Sequence, residues 1–215
     1  MQTRLTTLAT AALLIGSLSS ASAQTPPPAR PSSPQGTAST QVGGQWVKTE
    51  RGQRYENGKW IDVTFSRPLM RGRTGIFGSG ADYGKAVLAG APVWRVGADQ
   101  STRFKTEAAL SFGGKTLPAG EYSMFVDLKE GAWTLIFSNW AAQQKFSRDD
   151  KTALWGAYNY TPDKDVLRVP MTVGAIPMAI DQLSIGFVDV TAAGGTLAIW
   201  WDKTQATVPF TVAGS

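Results

Sequence analysis

Residues 59–66, Lys-Trp-Ile-Asp-Val-Thr-Phe-Ser, carry the clearest structural signal in the chain. Apolar and polar side chains alternate strictly in this stretch: Ile61, Val63 and Phe65 against Asp62, Thr64 and Ser66. A period of two predicts a half-buried β-strand, because successive strand side chains point to opposite faces. The dipeptide Asn57-Gly58 precedes the stretch and predicts a two-residue hairpin that pairs it with a strand around 54–56.

The rest of the chain repeats this pattern. Further strands are predicted at 104–112, 122–128, 133–137, 166–173, 183–190, 196–201 and 206–212. No window of a dozen residues shows convincing helical periodicity, and one short helical turn is predicted within 149–157. Eight or nine short strands joined by glycine-rich turns predict an all-β fold, a single antiparallel β-sandwich or jelly-roll-like domain. Two long segments, 67–93 and 139–165, are predicted to be ordered loops that cover one end of the sandwich.

The N-terminus has the pattern of a secretory signal peptide over residues 1–23. Arg4 precedes an apolar stretch over 5–18, and Ala21-Ser22-Ala23 supplies the small residues that signal peptidase requires. Cleavage is therefore expected between Ala23 and Gln24, with export to the periplasm or the extracellular medium. The stretch is shorter than the about 20 residues that span a bilayer, and no second membrane span is expected.

Residues 24–42 are rich in Pro, Ser, Thr and Gly and predict a disordered linker, because so few large apolar side chains cannot offset the entropy of ordering. The β-sandwich domain is then expected over 43–215. Removing Arg4 with the signal peptide leaves 20 of the 21 basic side chains against 16 acidic ones, a net charge of +4. This mild excess favours anionic ligands weakly and lacks the basic stripe of a nucleic-acid-binding protein.

Two residue types are absent and exclude whole classes of chemistry. The chain has no Cys, so disulfides, thiolate catalysis and cysteine-bound metals are excluded. It has no His, which excludes the Ser-His-Asp triad and zinc sites built on imidazole. We accordingly predict no catalytic residue, no metal ligand and no cofactor, and we expect the fold to be held by packing alone.

A set of motifs in fixed order suggests a family. The motifs are Ser66-Arg67-Pro68, Tyr83-Gly84-Lys85, Val93-Trp94-Arg95 with Gly97-Ala98, Leu117-Pro118-Ala119-Gly120, Trp155-Gly156-Ala157-Tyr158 and Asp165-Val166-Leu167-Arg168. Over roughly residues 45–212 they resemble the secreted bacterial family of domains of unknown function numbered 2911. The resemblance implies an exported β-sandwich and no particular reaction. Where that family often reads Gly-Ala-Asn-Glu-x-Thr, this chain has its carboxylate one position earlier, at Asp99, which in an extended segment points to the opposite face.

The strongest candidate ligand site combines arginines, aromatics and one carboxylate: Arg67, Tyr83, Trp94, Arg95 and Asp99. As a pocket, these residues would bind an anionic or hydroxyl-rich ligand and stack against it. In a structural role, Arg95 and Asp99 would form an ion pair that locks a loop, with Trp94 in the core. The arginines at 71 and 73 could likewise grip a phosphate or carboxylate, or lie in solvent.

Other side chains also allow two interpretations. Most of the eight tryptophans are expected in the core, but exposed ones would suit stacking against sugar rings. Trp200 and Trp201 are adjacent in a strand and should point to opposite faces. Asp163 and Asp165 could bind Ca²⁺ but are more typical of a Pro-Asp turn.

These observations favour a non-catalytic binding module for a small polar or anionic ligand or a cell-envelope partner. Two alternatives remain open at this point. One is an envelope glycan hydrolase that uses paired aspartates drawn from Asp62, Asp99 and Asp127. The other is a structural or assembly partner that uses exposed sheet edges.

Overall fold

The computed structural model describes residues 31–214. The predicted signal peptide, its cleavage site at Ala23 and Gln24, the first part of the predicted linker and Ser215 lie outside the described residues. The strands of the described chain are β1 Gln35–Val42, β2 Gln45–Thr49, β3 Gly52–Glu56, β4 Lys59–Ser66, β5 Thr102–Thr106, β6 Leu110–Phe112, β7 Lys115–Leu117, β8 Gly120–Asp127, β9 Thr134–Ser138, β10 Ala141–Ala142, β11 Ala153–Leu154, β12 Asp165–Pro170, β13 Thr172–Thr191 and β14 Gly194–Val212.

Within residues 31–214 helical structure is confined to single turns. Helix α1 spans Lys85–Leu88, and 3₁₀ turns lie at Gly80–Asp82 and Pro162–Lys164. No helix in residues 31–214 is long and apolar enough to cross a membrane.

Two antiparallel sheets form the sandwich, which confirms the predicted all-β class. The larger has the order β1-β4-β5-β8-β9-β12, and the smaller has the order β13-β14-β6-β7. Alternate residues of both sheets meet in one main core: Ile61, Val63 and Phe65 of β4, for example, pack with Leu197, Ile199 and Trp201 of β14. Strands β2 and β3 form a separate two-stranded hairpin.

The linker predicted up to residue 42 includes a strand. Residues Gln35–Val42 form β1, which pairs with β4 along its whole length, from Gln35 opposite Ser66 to Val42 opposite Lys59. The composition of this segment misled the prediction, because its side chains are small and mostly polar. An edge strand needs little apolar surface when a well-patterned neighbour supplies the hydrogen-bonding partner.

The predicted hairpin between 54–56 and 59–66 is wrong. Asn57 does adopt the left-handed conformation of a turn, with φ 59°. However, β3 pairs with β2, whereas β4 pairs with β1 and β5. The apolar face of β4 needs neighbours that also face the core, and the largely exposed β3 does not offer one.

Several predicted strands have different limits in the structure. The segment predicted as one strand over 104–112 is divided between β5 and β6, which belong to opposite sheets. The two segments at 196–201 and 206–212 form one continuous strand, β14, and no helical turn is present within 149–157.

The two long segments have different roles, so the prediction that both cover one end is wrong. Segment 67–93, here called the glycine loop, inserts Ile76 and Phe77 into the main core. Segment 139–165 packs against Phe125 and Ile136, whose strand neighbours face the main core. Because strand side chains alternate, this second segment covers the outer face of the larger sheet.

Candidate functional site

A cavity of about 630 Å³ lies between the glycine loop and two tryptophans of the sandwich, Trp94 and Trp201. We call it the tryptophan cavity. The two indoles are parallel, with an interplanar angle of 8° and ring centroids 6.2 Å apart. Phe77, from the glycine loop, meets both rings edge-on. This arrangement fixes a rigid aromatic floor, since aromatic rings prefer edge-to-face and offset contacts.

The indole N–H of Trp94 is the unusual feature of this floor. Trp94 is fully buried, and its Nε1 has no hydrogen-bond partner among the described residues. Leaving a buried donor unpaired costs about 1–3 kcal/mol, so such groups need an explanation. The neighbouring Trp133 differs, because its Nε1 donates to the Tyr83 hydroxyl at 2.6 Å.

Tyr83 contacts the aromatic floor through its hydrogen bond with Trp133. Burial raises the pKa of Tyr83 above its ordinary value of 10.0, against the opposing effect of the hydrogen bond from Trp133. Its hydroxyl therefore stays protonated at neutral pH and accepts the Trp133 hydrogen bond. Trp133 in turn packs against Trp94, with their ring centroids 5.8 Å apart.

The glycine loop is attached to the smaller sheet through a carboxylate. Asp202 Oδ2 accepts a hydrogen bond from the Gly75 N–H at 2.8 Å. Gly75 has φ +58°, in the left-handed region that glycine enters freely. Asp202 directly follows Trp201, so one short segment of β14 provides both the floor and the attachment of the loop.

The rim of the tryptophan cavity is charged. Arg73, Asp82 and Lys85 all line it, and Lys85 Nζ lies 2.8 Å from Asp82 Oδ1. Arg73 donates from Nε and Nη2 to the carbonyl oxygens of Met70 and Leu69, which fixes its guanidinium at the rim. Two cations against one carboxylate give the rim a net positive charge.

The five residues predicted as a ligand site do not meet in one pocket. Trp94 lines the tryptophan cavity, and Tyr83 lies behind its floor. Arg67 lies elsewhere, where its Nε donates to the Leu183 carbonyl at 3.2 Å and fastens the end of β4 to β13.

Arg95 and Asp99 form a separate unit on the outer side. Arg95 Nη1 donates to the backbone carbonyl of Asp99 at 3.1 Å, not to its carboxylate, and the guanidinium lies over the Tyr158 ring. Gly156 makes room for this contact, because a Cβ there would lie 2.5 Å from Arg95 Nη1. The loop lock suggested by the sequence is thus present, but it joins segment 94–99 to segment 156–158 without an ion pair.

Two of the three aspartates considered for hydrolysis have structural partners. Asp62 accepts a hydrogen bond from the Ser39 hydroxyl, and Asp127 forms an ion pair with Arg168 at 2.9 Å. Arg168 also bridges to Asp165, which accepts a hydrogen bond from Tyr160 at 2.6 Å. Within residues 31–214 no group of three or more acidic side chains is placed to hold a metal ion.

Tyr160 makes this network sensitive to alkaline pH. Burial raises its pKa above the ordinary 10.0, and the hydrogen bond to Asp165 acts in the same direction. The folded protein therefore keeps the proton where the unfolded chain loses it. Its contribution to stability is complete below pH 10.0 and is lost as the pH rises above that value.

We expect Tyr160→Phe to reduce the fall in the free energy of unfolding between about pH 9 and about pH 11. Urea titrations at fixed pH values measure this slope. Tyr158→Phe, at an exposed tyrosine, is the control and should retain the wild-type slope. Equal slopes for wild type and Tyr160→Phe would contradict the assignment.

Comparison with known families agrees with the motifs. The sequence model of the family described as "Protein of unknown function (DUF2911)" matches residues 47–210. The chain belongs to this family. The resemblance found from the motifs is confirmed, and the match includes every residue of the tryptophan cavity. No curated protein matches the chain. No solved structure matches it either.

In this member of DUF2911 two of the family motifs meet in space, Val93-Trp94-Arg95 and Trp155-Gly156-Ala157-Tyr158. The Trp94 backbone pairs with Val126 through two hydrogen bonds of 2.8 and 2.9 Å, which continues the sheet beside β8. The Trp155–Tyr158 motif provides the contact surface for Arg95. Sequence reasoning missed the bond of Asp202 to Gly75 and the position of Lys85 at the rim, because both depend on how the glycine loop folds back onto β14.

Proposed function

We propose that the protein is a non-catalytic binding module and that the tryptophan cavity holds a small ligand with a flat ring and an anionic group. The observation that carries this proposal is that Trp94, which lines the cavity, has a buried indole N–H without a hydrogen-bond partner among the described residues. A ligand acceptor atom that reaches this N–H would remove the cost of leaving it unpaired.

The floor and rim together define the ligand class. Parallel and edge-on aromatic rings favour a planar apolar face, as in many small-molecule sites that combine an apolar lining with a few polar groups. The net positive rim formed by Arg73, Lys85 and Asp82 favours a carboxylate or phosphate. This ligand class falls within the small polar or anionic ligands expected from composition.

Export is part of the same proposal. Its support is the N-terminal pattern of Arg4, an apolar stretch and Ala21-Ser22-Ala23. A binding module in the periplasm or the extracellular medium would meet small anions or envelope components as its partners.

Thermal-shift measurements test the ligand class. We expect planar aromatic anions, represented by benzoate, indole-3-acetate and adenosine monophosphate, to raise the Tm of the protein. Acetate and inorganic phosphate, which lack a ring, should not raise it. A ligand at one hundred times its Kd stabilises the folded state by about 2.7 kcal/mol, a shift that is readily measured.

A matched pair of variants locates the site. Ala86 is exposed and lines the tryptophan cavity, whereas Ala81 is an exposed residue of the same loop that does not line it. Ala86→Phe should abolish the shift by filling the cavity, and Ala81→Phe should keep it. If Ala86→Phe left the shift unchanged, or if no aromatic anion bound, this proposed function would be refuted.

A further inference from the structure

Trp46 is a large apolar side chain that core packing does not explain. It lies on the β2–β3 hairpin, and 68% of its surface is exposed. A buried tryptophan contributes apolar burial, but an exposed one contributes little to stability and is typical of a recognition surface.

The surroundings of Trp46 hold its neighbour Tyr55 in a defined orientation. Trp46 lies opposite Tyr55 in the hairpin register, with ring centroids 5.3 Å apart and an edge-on geometry. The Tyr55 hydroxyl accepts a hydrogen bond from the Gly44 N–H at 3.1 Å. Gly44 and Gly58 both press against the Tyr55 ring, where an added Cβ would come within 2.8 Å or less. The aromatic pair is therefore preorganised.

A cleft of about 620 Å³ lies beside this pair, and we call it the hairpin cleft. Its far wall is the end of β13 and the turn that follows it, formed by Val190, Thr191 and Ala192. A hydrogen bond of 2.7 Å from the Gly43 N–H to the Ala192 carbonyl ties the base of the hairpin to this turn. Both walls are thus fixed at their common base.

The polar groups of the hairpin cleft are neutral. None of the eight residues that line it is charged, and they include Gln41, near the end of β1. The Gln41 amide has no side-chain hydrogen-bond partner among the described residues. It offers two donors and one acceptor, which matches vicinal hydroxyl groups.

We propose that the hairpin cleft binds a neutral carbohydrate, with a pyranose ring stacked on Trp46 and its hydroxyl groups bonded to Gln41. The C–H bonds on one face of a pyranose carry a partial positive charge and are attracted to the negative face of an indole. The Gln41 amide binds the equatorial hydroxyls. This site is separate from the tryptophan cavity, whose charged rim favours anions.

A protein partner fits the hairpin cleft less well. A stable protein interface engages about 20–30 residues on each side, and eight residues line this cleft. A single sugar ring, in contrast, covers one indole and reaches the Gln41 amide.

Binding of three neutral hexasaccharides tests the proposal: cellohexaose, hexa-N-acetylchitohexaose and maltohexaose. We expect at least one to bind the purified protein in calorimetry and to perturb its tryptophan fluorescence. Trp46→Ala should weaken that binding at least tenfold, and Gln41→Leu should weaken it several-fold. Phe146→Ala, at an exposed aromatic residue outside the cleft, should leave it within twofold of wild type.

Three results would overturn the proposal. The first is that none of the hexasaccharides binds at millimolar concentration. The second is that Phe146→Ala weakens binding as much as Trp46→Ala does. The third is a concentration-dependent self-association that Trp46→Ala abolishes while no sugar competes, which would make the cleft an interface between copies of the chain. Ala86→Phe should not affect sugar binding, so this test and that of the tryptophan cavity can fail independently.

Discussion

Replacing Trp201 by alanine is expected to lower the free energy of unfolding by about 3–5 kcal/mol. Trp201 is 4% exposed, stacks parallel to Trp94 and meets Phe77 edge-on at 6.2 Å. Truncation removes these contacts and leaves a void between the glycine loop and the sandwich, because a packed interior relaxes only partly around a missing ring. Urea unfolding followed by circular dichroism measures the change.

Trp46→Ala is the matched control, because it makes the same chemical change at an indole that is 68% exposed. Its effect on stability is expected to stay within about 0.5 kcal/mol. Similar losses for the two variants would show that the aromatic floor does not stabilise the fold. Trp201→Ala should also abolish binding of aromatic anions under conditions where the variant is folded.

Replacing Arg168 by methionine is expected to lower the free energy of unfolding by about 2–3 kcal/mol. Arg168 joins two strands of the larger sheet by pairing with Asp127 on β8 and Asp165 on its own strand. The Asp165 side chain is only 8% exposed, and its Oδ1 has no partner among the described residues. Removing the cation therefore leaves a buried carboxylate with a single neutral donor, Tyr160.

Two further variants separate this effect from a general loss of surface charge. Arg54→Met breaks the exposed pair between Arg54 and Glu56 and should change stability by less than about 1 kcal/mol. Adding Asp165→Asn to Arg168→Met should recover part of the loss, because the neutral amide removes the unpaired charge. If Arg168→Met lowered the free energy of unfolding no more than Arg54→Met does, the ion pairs of Arg168 would not stabilise the fold.

The amino-acid pattern predicted the inward face of most strands correctly. In β4 and β8 the alternating apolar residues do face the main core, and Trp200 and Trp201 do differ in burial as adjacent strand residues should. These features are readable because side-chain direction in a strand depends on local geometry alone. Strand β1 was missed because its small, mostly polar side chains give no clear alternation to read. It forms by pairing with β4.

Which strands pair with each other was harder to predict from the sequence. Asn57-Gly58 predicted a hairpin turn; the chain does bend at Asn57, where φ is 59°, but the hairpin that forms joins β2 to β3. Pairing is decided by which arrangement buries the most apolar surface across the whole sheet, and a local turn signal does not contain that information.

The candidate sites show the same division. The presence of aromatic and basic residues in the glycine loop was evident from composition, as was the possibility of exposed tryptophans. The sequence did not show which indole is exposed, because Trp46 and Trp94 each have one Val and one polar residue as direct neighbours. Trp46 lies on the β2–β3 hairpin and is exposed, whereas Trp94 lies in the main core.

The sequence alone therefore established an all-β chain of the DUF2911 family, without cysteine or histidine chemistry, whose strands have one apolar face. The tertiary structure alone decided that Trp94 and Trp201 meet under the glycine loop, and that Trp46 lies in one cleft with Gln41. The physical reason is the range of the forces involved. Side-chain alternation follows from the bond geometry of neighbouring residues, whereas the two cavities depend on packing between segments that are distant in the chain.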